Sequence, residues 1–254
     1  MPFHKVQPEK LSAAVVRQIE ELILRGVLRP GERLPSERDL AIRLGVSRPS
    51  LRDAIAELQQ DGLLTTRAGA GIFVAEVLNS AFSPALIRLF ARHDEAVFDY
   101  LSFRRDMEGL AAERAARLGS DSDLKVIQTL FDRMEAAPPG GDSAAELDSQ
   151  FHSAIIDASH NVVMLHMMRA MYDLLRQGVF YNRKVMFQQR TSRAALLDQH
   201  RAINAALQAR DPAAARAAVE AHLDYVRAAL EDQRRAERNE TVARQRLEHE
   251  NSKG

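Results

Sequence analysis

Asp148 and His152 lie four residues apart, the spacing that brings two side chains onto one face of an α-helix. A carboxylate and an imidazole placed together in this way are two ready donors for a divalent metal. His200 and His222 follow on two later stretches. Each has apolar neighbours at helical spacing, Leu196, Leu197, Ile203 and Leu207 around the first and Val219, Leu223 and Val226 around the second, so both rings can face a core. One carboxylate and three imidazoles suit Zn, Ni or Mn and leave positions for water or a ligand. His160 and His166 compete for the same role, although His160 falls where the helical pattern breaks. A metal held this way could also activate water for hydrolysis, but no general base, oxyanion loop or nucleophile motif accompanies the four residues.

A second chemistry is written near the N-terminus. Arg48 and Arg52 share a helix face, and an arginine offers two parallel N–H donors that match the major-groove edge of guanine. Ser47 precedes them as an N-cap hydroxyl, at a helix start whose unpaired N–H groups bind phosphate. Arg38, at the start of the preceding helical stretch, can reach the flanking backbone. Arg67 stands beside the glycine-rich turn that contains Gly69, a tip slim enough to enter the adjacent minor groove.

The elements that must position these residues follow from periodicity. Leu11, Ala14, Val15, Ile19, Leu22 and Ile23 recur at helical spacing and predict the buried stripe of a first helix ending near Gly26. Residues 28–34 read as a turn. Ser36, three before Asp39, caps a second helix carried by Leu40, Ile42 and Leu44 to Gly45. Ser47 opens a third helix with Leu51, Ala54, Ile55 and Leu58 on one face. Leu63–Arg67 and Ile72–Val74 then alternate as strands around the turn. Three helices and a hairpin make a winged helix-turn-helix.

From about residue 76 the pattern is helical, broken at 119–123, 137–141, 159–161 and 210–212. The stretches between predict an all-α bundle of six or seven helices. The expected fold is therefore mainly α: a winged helix-turn-helix over 1–75, a linker at 76–80, a helical effector-binding and dimerisation domain over 81–230, and a charged tail over 231–254. That tail balances six basic against six acidic residues and reads as a solvated, fraying helix.

Composition bounds the functions these residues can serve. A length of 254 residues leaves room for one small and one larger domain. The complete lack of cysteine excludes disulfide scaffolds, thiolate metal sites and cysteine nucleophiles, and fits a cytoplasmic location. No run of about 18 apolar residues exists to span a bilayer and the N-terminus lacks a signal-peptide core, so no membrane partner is expected. Net charge is zero, with eleven Lys and Arg against nine Asp and Glu over residues 1–75. Nucleic-acid recognition must then rest on a local surface, and unregulated architectural binding is disfavoured.

The runs LRPGERLPSERDLA (residues 28–41) and GVSRPSLRDAI (residues 45–55) resemble the DNA-binding domain of GntR-type bacterial transcription regulators. The resemblance implies operator contacts at Arg38, Ser47, Arg48, Arg52, Arg67 and Gly69. FRRDMEGLAA (103–112), LDSQFHSA (147–154), DQHRAI (198–203) and AHL (221–223) are similar to the helical effector domain, named FCD, of the FadR-like branch. That likeness implies a divalent metal at Asp148, His152, His200 and His222, and a small carboxylate effector also paired by Arg104. Arg105 is expected to be a salt-bridged surface residue, and Asn161 to cap a helix beside the site. The implied protein is a homodimeric repressor on double-stranded operator DNA, not an enzyme. HNVVMLH (160–166) is similar to pyruvate-responsive members, which points to pyruvate dehydrogenase genes, whereas the retained Asp148–His152 pair is nearer to sensors of lactate, glycolate and other hydroxy acids.

Overall fold

The computed structural model describes residues 10–76, 83–90, 92–138, 142–176 and 190–251. The chain forms two compact units, Met1–Ser83 with Val162–Asp173, and Pro84–Asn161 with Leu174–Gly254.

In the first unit, α1 (Leu11–Leu24), α2 (Glu37–Leu44) and α3 (Arg48–Gln60) precede the antiparallel hairpin β1 (Leu64–Arg67) and β2 (Gly71–Val74). Val15, Val16, Ile19 and Ile23 of α1 pack in one core with Leu40, Leu51, Ala54, Ile55, Leu58, Leu64 and Val74. Leu11 departs from the expected stripe. As the first residue of α1 it is 58% exposed, because its side chain lies beyond the edge of that core. Ile42 is also exposed, on the outer face of α2.

Local chemistry fixes the turns. Ser36 accepts from the Asp39 amide and Ser47 from the Ser50 amide, so each helix start has its cap. Between α2 and α3, Gly45 takes φ +66° while its N–H and that of Val46 return to the carbonyls of Ile42 and Ala41. This left-handed C-terminal cap sets the tight turn between the two helices. Residues 31–34, expected as a turn alone, also run beside β2: Leu34 N–H donates to Ile72 O and Gly31 N–H to Val74 O. Burial of Leu34 gives this added edge its register.

The segment Val162–Asp173 of α8 (Val162–Arg176) packs within this first unit. His166 Nε2 lies 2.9 Å from the Leu24 carbonyl, and Arg169 donates to the Gly26 carbonyl at 3.2 Å. Both carbonyls sit at the C-terminal end of α1, which has no basic residue in its own last turn. The two side chains from α8 therefore satisfy groups that the helix leaves open.

The second unit is all helix among its described residues: α4 (Pro84–Phe90), α5 (Asp94–Leu118), α6 (Asp121–Ala136), α7 (Asp142–Ala158), α9 (Arg190–Gln208) and α10 (Pro212–Asn251). α10 lies along α5 and α9, α7 packs on α5 and α6, and α6 also meets α9. Ala112, Ala115 and Ala116 of α5 let its neighbours approach closely around Ile127, Phe151, Ile155, Ile203, Leu207, Val219 and Leu223. α6 begins with a complete capping box between Ser120 and Asp123, which turns the expected break at 119–123 into a helix start. Beyond Leu230 the side chains of α10 are mainly exposed out to Asn251. No described helix is long and apolar enough to cross a membrane.

Candidate metal centre and nucleic-acid interface

The buried face of α7 reads Asp148, Phe151, His152, Ile155, so two polar residues occupy core positions of an otherwise apolar stripe. His200 interrupts the stripe of α9 between Leu196 and Ile203, and His222 that of α10 between Val219 and Val226. Asp148 and the three histidines are all at most 4% exposed. Burying four such groups among hydrocarbon is costly unless they satisfy one another or a ligand.

Their donor atoms converge. One ligand atom from each of the four residues lies within 4.8 Å of all the others. His200 Nε2 is 3.1 Å from Asp148 Oδ1 and 3.2 Å from His152 Nε2. His152 Nε2 is 3.8 Å from the same carboxylate oxygen. Donors about 2.0–2.2 Å from one ion stand roughly 3.0–3.5 Å apart, so most of these separations suit a shared cation. The rings of His152 and His222 stack with centroids 5.1 Å apart, while Phe151 meets His152 and His200 edge-on. That aromatic wall fixes the rotamers on the α7 side.

Two residues to which the sequence reading gave no role lie beside the imidazoles. Glu108 Oε2 lies 2.7 Å from His152 Nδ1, and Gln199 Oε1 lies 2.9 Å from His222 Nδ1. Carboxylate and amide oxygens this close to Nδ1 favour the proton there, which leaves the Nε2 lone pair as the metal donor. The signal for Gln199 was its place beside His200. For Glu108 it was the four-residue spacing from Arg104 within a helix.

Arg104 is 1% exposed, and its Nε donates to Glu108 Oε1 at 2.5 Å. Burial pushes the Glu108 carboxyl up, but the Arg104 guanidinium, aided by His152, outweighs this and holds it well below the usual range. Burial lowers His152 against the pull of Glu108. His222 falls well below its ordinary value, first through burial and then through the neighbouring imidazoles, with Arg104 adding to the same direction. At neutral pH these two rings are uncharged, the form that ligates metal. Arg105 points elsewhere, pairing with Asp224 at 3.0 Å and Glu220 at 3.3 Å.

His160 and His166 do not join the cluster. His160 adopts φ +50° after α7 and pairs with Asp123 at 3.0 Å, and His166 meets the α1 carbonyl described above. Asn161 immediately precedes α8.

In the first unit the six residues proposed to meet DNA are all exposed. Ser47 and Arg48 open α3, and Arg38 is the second residue of α2. Arg52 Nε donates to Glu37 Oε2 at 2.8 Å. Arg67 lies over the Phe73 ring and donates to Glu76 at 2.7 Å. Gly69 takes φ +71° at the hairpin tip, a conformation that suits a residue without Cβ.

Comparison with known proteins agrees across both units. Residues 11–74 match the family described as bacterial regulatory proteins, gntR family, and residues 99–225 match the FCD domain. An Escherichia coli K12 protein named as a regulator of the L-lactate dehydrogenase operon is 35% identical, over 98% of both chains. The Glc operon transcriptional activator of the same strain is 33% identical, over 90% of this chain and 92% of its own. A solved structure of a Streptococcus agalactiae GntR protein, 25% identical, superposes with a TM-score of 0.54 over 85% of this chain and 98% of that one.

Proposed function

The chain belongs to the GntR family of bacterial regulatory proteins and carries an FCD domain, a DNA-binding transcriptional regulator and not an enzyme; from that premise we propose that it senses a small 2-hydroxy carboxylate. The observation that carries this reading is the buried convergence of Asp148, His152, His200 and His222 beside Arg104. Those four residues would hold a divalent Zn, Ni or Mn ion. When bound, the ion supplies Lewis-acid sites for an effector carboxylate and its neighbouring hydroxyl. Arg104 supplies a fixed guanidinium for the same anion, desolvated by the surrounding helices. The hydroxy acid is favoured over pyruvate by the relative that bears the name of the L-lactate dehydrogenase operon.

Arg48 and Arg52 read base edges in the major groove, Arg38 and the Ser47 helix start hold phosphates, and Arg67 and Gly69 follow the minor groove. Two copies of the chain present two such heads to a pseudo-palindromic operator, and the effector changes how well they fit its half-sites.

The test is a titration of the protein's own upstream DNA at fixed salt, with L-lactate, glycolate and pyruvate in turn, metal-loaded and chelated. A metal-dependent change in operator affinity with a hydroxy acid supports the proposal. A response to pyruvate alone would move the target to pyruvate oxidation, and no response to any of the three would overturn the sensor reading.

A further inference from the structure

Glu108 stands between the two groups assigned to the effector site and touches both. Its Oε1 is 2.5 Å from Arg104 Nε and its Oε2 is 2.7 Å from His152 Nδ1. All three side chains are at most 2% exposed. Arg104 and Glu108 are one helical turn apart on α5, while His152 comes from α7, so the carboxylate is also the bridge between those helices.

We propose that Glu108 is a positioning residue that selects the metal-ligating nitrogen of His152 and, through its second oxygen, fixes the guanidinium that receives the effector. This rests on the metal reading above and deepens it. The chemistry needs a carboxylate, because that side chain carries two separate acceptor oxygens and can turn one toward each of two donors on different elements. With the Nδ1 proton held toward the Glu108 carboxylate 2.7 Å away, the Nε2 lone pair of His152 faces Asp148 and His200. A proton on Nε2 would instead point a donor into the cluster and block ligation. The ionised carboxylate also makes the imidazole a better electron donor, and its tie to Arg104 sets the distance between cation and guanidinium that an incoming carboxylate has to span.

Glutamine at 108 is nearly isosteric and cannot serve both partners. If its oxygen faces His152, its amide NH₂ opposes the Arg104 guanidinium, donor to donor. If its oxygen faces Arg104, its NH₂ forces His152 to accept at Nδ1 and places the proton on Nε2. Gln199, which supports His222 with a neutral oxygen, does not face this conflict.

The experiment uses the full chain, stripped of metal, as wild type and as Glu108→Gln. Nitrogen-15 NMR of the histidine side chains reads the His152 tautomer, and Co(II) titration against a competing chelator reads affinity and ligand-field bands. The wild type is expected to hold His152 as the Nδ1–H tautomer, and the variant to populate Nε2–H and bind Co(II) about 10–100-fold more weakly. Should Glu108→Gln fail to fold by circular dichroism, Glu108→Asp keeps the charge but withdraws the oxygen from His152, and the same shift and loss are expected. A folded variant with unchanged tautomer, or with unchanged Co(II) affinity, overturns the inference. Failure of the wild type to bind Co(II) would instead overturn the metal reading itself, and the two failures are thereby separate.

Discussion

The two sites of this protein are built on opposite plans. In the DNA-binding head the side chains proposed to meet DNA are exposed, and they are placed by features a few residues away: the Ser47 cap, the Gly45 turn, the Gly69 tip. In the helical unit they are buried and come from α5, α7, α9 and α10, as far apart in sequence as Arg104 and His222. An exposed site can lose a side chain with little effect on the fold, whereas a buried polar cluster is part of the core and leaves uncompensated groups when one member goes.

The sharpest way to break the comparison is to challenge the proposed ion with a chelator. With metal at a thousand times its dissociation constant, binding adds about 4 kcal/mol to the folded state. Chelation should therefore lower the calorimetric melting of the helical unit, and His200→Ala should abolish the difference between loaded and chelated samples. Identical melting curves for wild type with and without chelator would end the metal assignment.

Acid should act on the same cluster in a stated direction. His152 and His222 bind protons less readily when folded, because burial disfavours their charged forms. The unfolded chain then takes up protons first, below the ordinary 6.5, and stability falls as pH drops from 7 toward 5. Glu108, held below its usual 4.5, extends the loss further into acid. Urea midpoints of the metal-free protein across that range check the sign. A midpoint that rises on acidification would contradict it.

For the head, Arg48→Ala should cost operator affinity about 10–100-fold, the worth of one bidentate base contact. Its melting temperature should stay put. Anisotropy with labelled operator and calorimetry on one sample would read both, and parallel losses would mean that Arg48 serves the fold. Ser47→Ala sits between the plans, since it removes a cap worth about 1 kcal/mol and a hydroxyl at the DNA face. It should shift the urea midpoint of the head modestly while also weakening binding. The smallest effect belongs to the tail: Glu240→Ala breaks a 3.6 Å exposed pair with Arg244, and a change in stability above about 0.5 kcal/mol would mean that the tail is packed in solution.

Much of the head was legible in the sequence because its determinants are local. Caps, glycine turns and a period that changes from helical to strand-like are all read within ten residues. Where the reading missed, the cause was a longer-range contact: Leu34 takes its register from pairing beside β2, and Leu11 lies past the end of a core that spacing alone does not delimit. In the helical unit, periodicity gave the helices and the pattern of His and Asp gave a candidate set. Neither could say that His166 turns to an α1 carbonyl while His200 turns inward, since both sit on amphipathic helices.

By itself the sequence determined what chemistry was available, because residue type sets which atoms can donate, accept or ligate, and helical spacing sets which of them share a face. The tertiary structure decided which of them meet. Helix packing selected four donors from the candidate histidines and acids, put Glu108 rather than solvent beside His152 Nδ1, and buried Arg104 against it. Those choices depend on the angle and depth at which helices distant in sequence cross, and that geometry is fixed by the packing of the whole core.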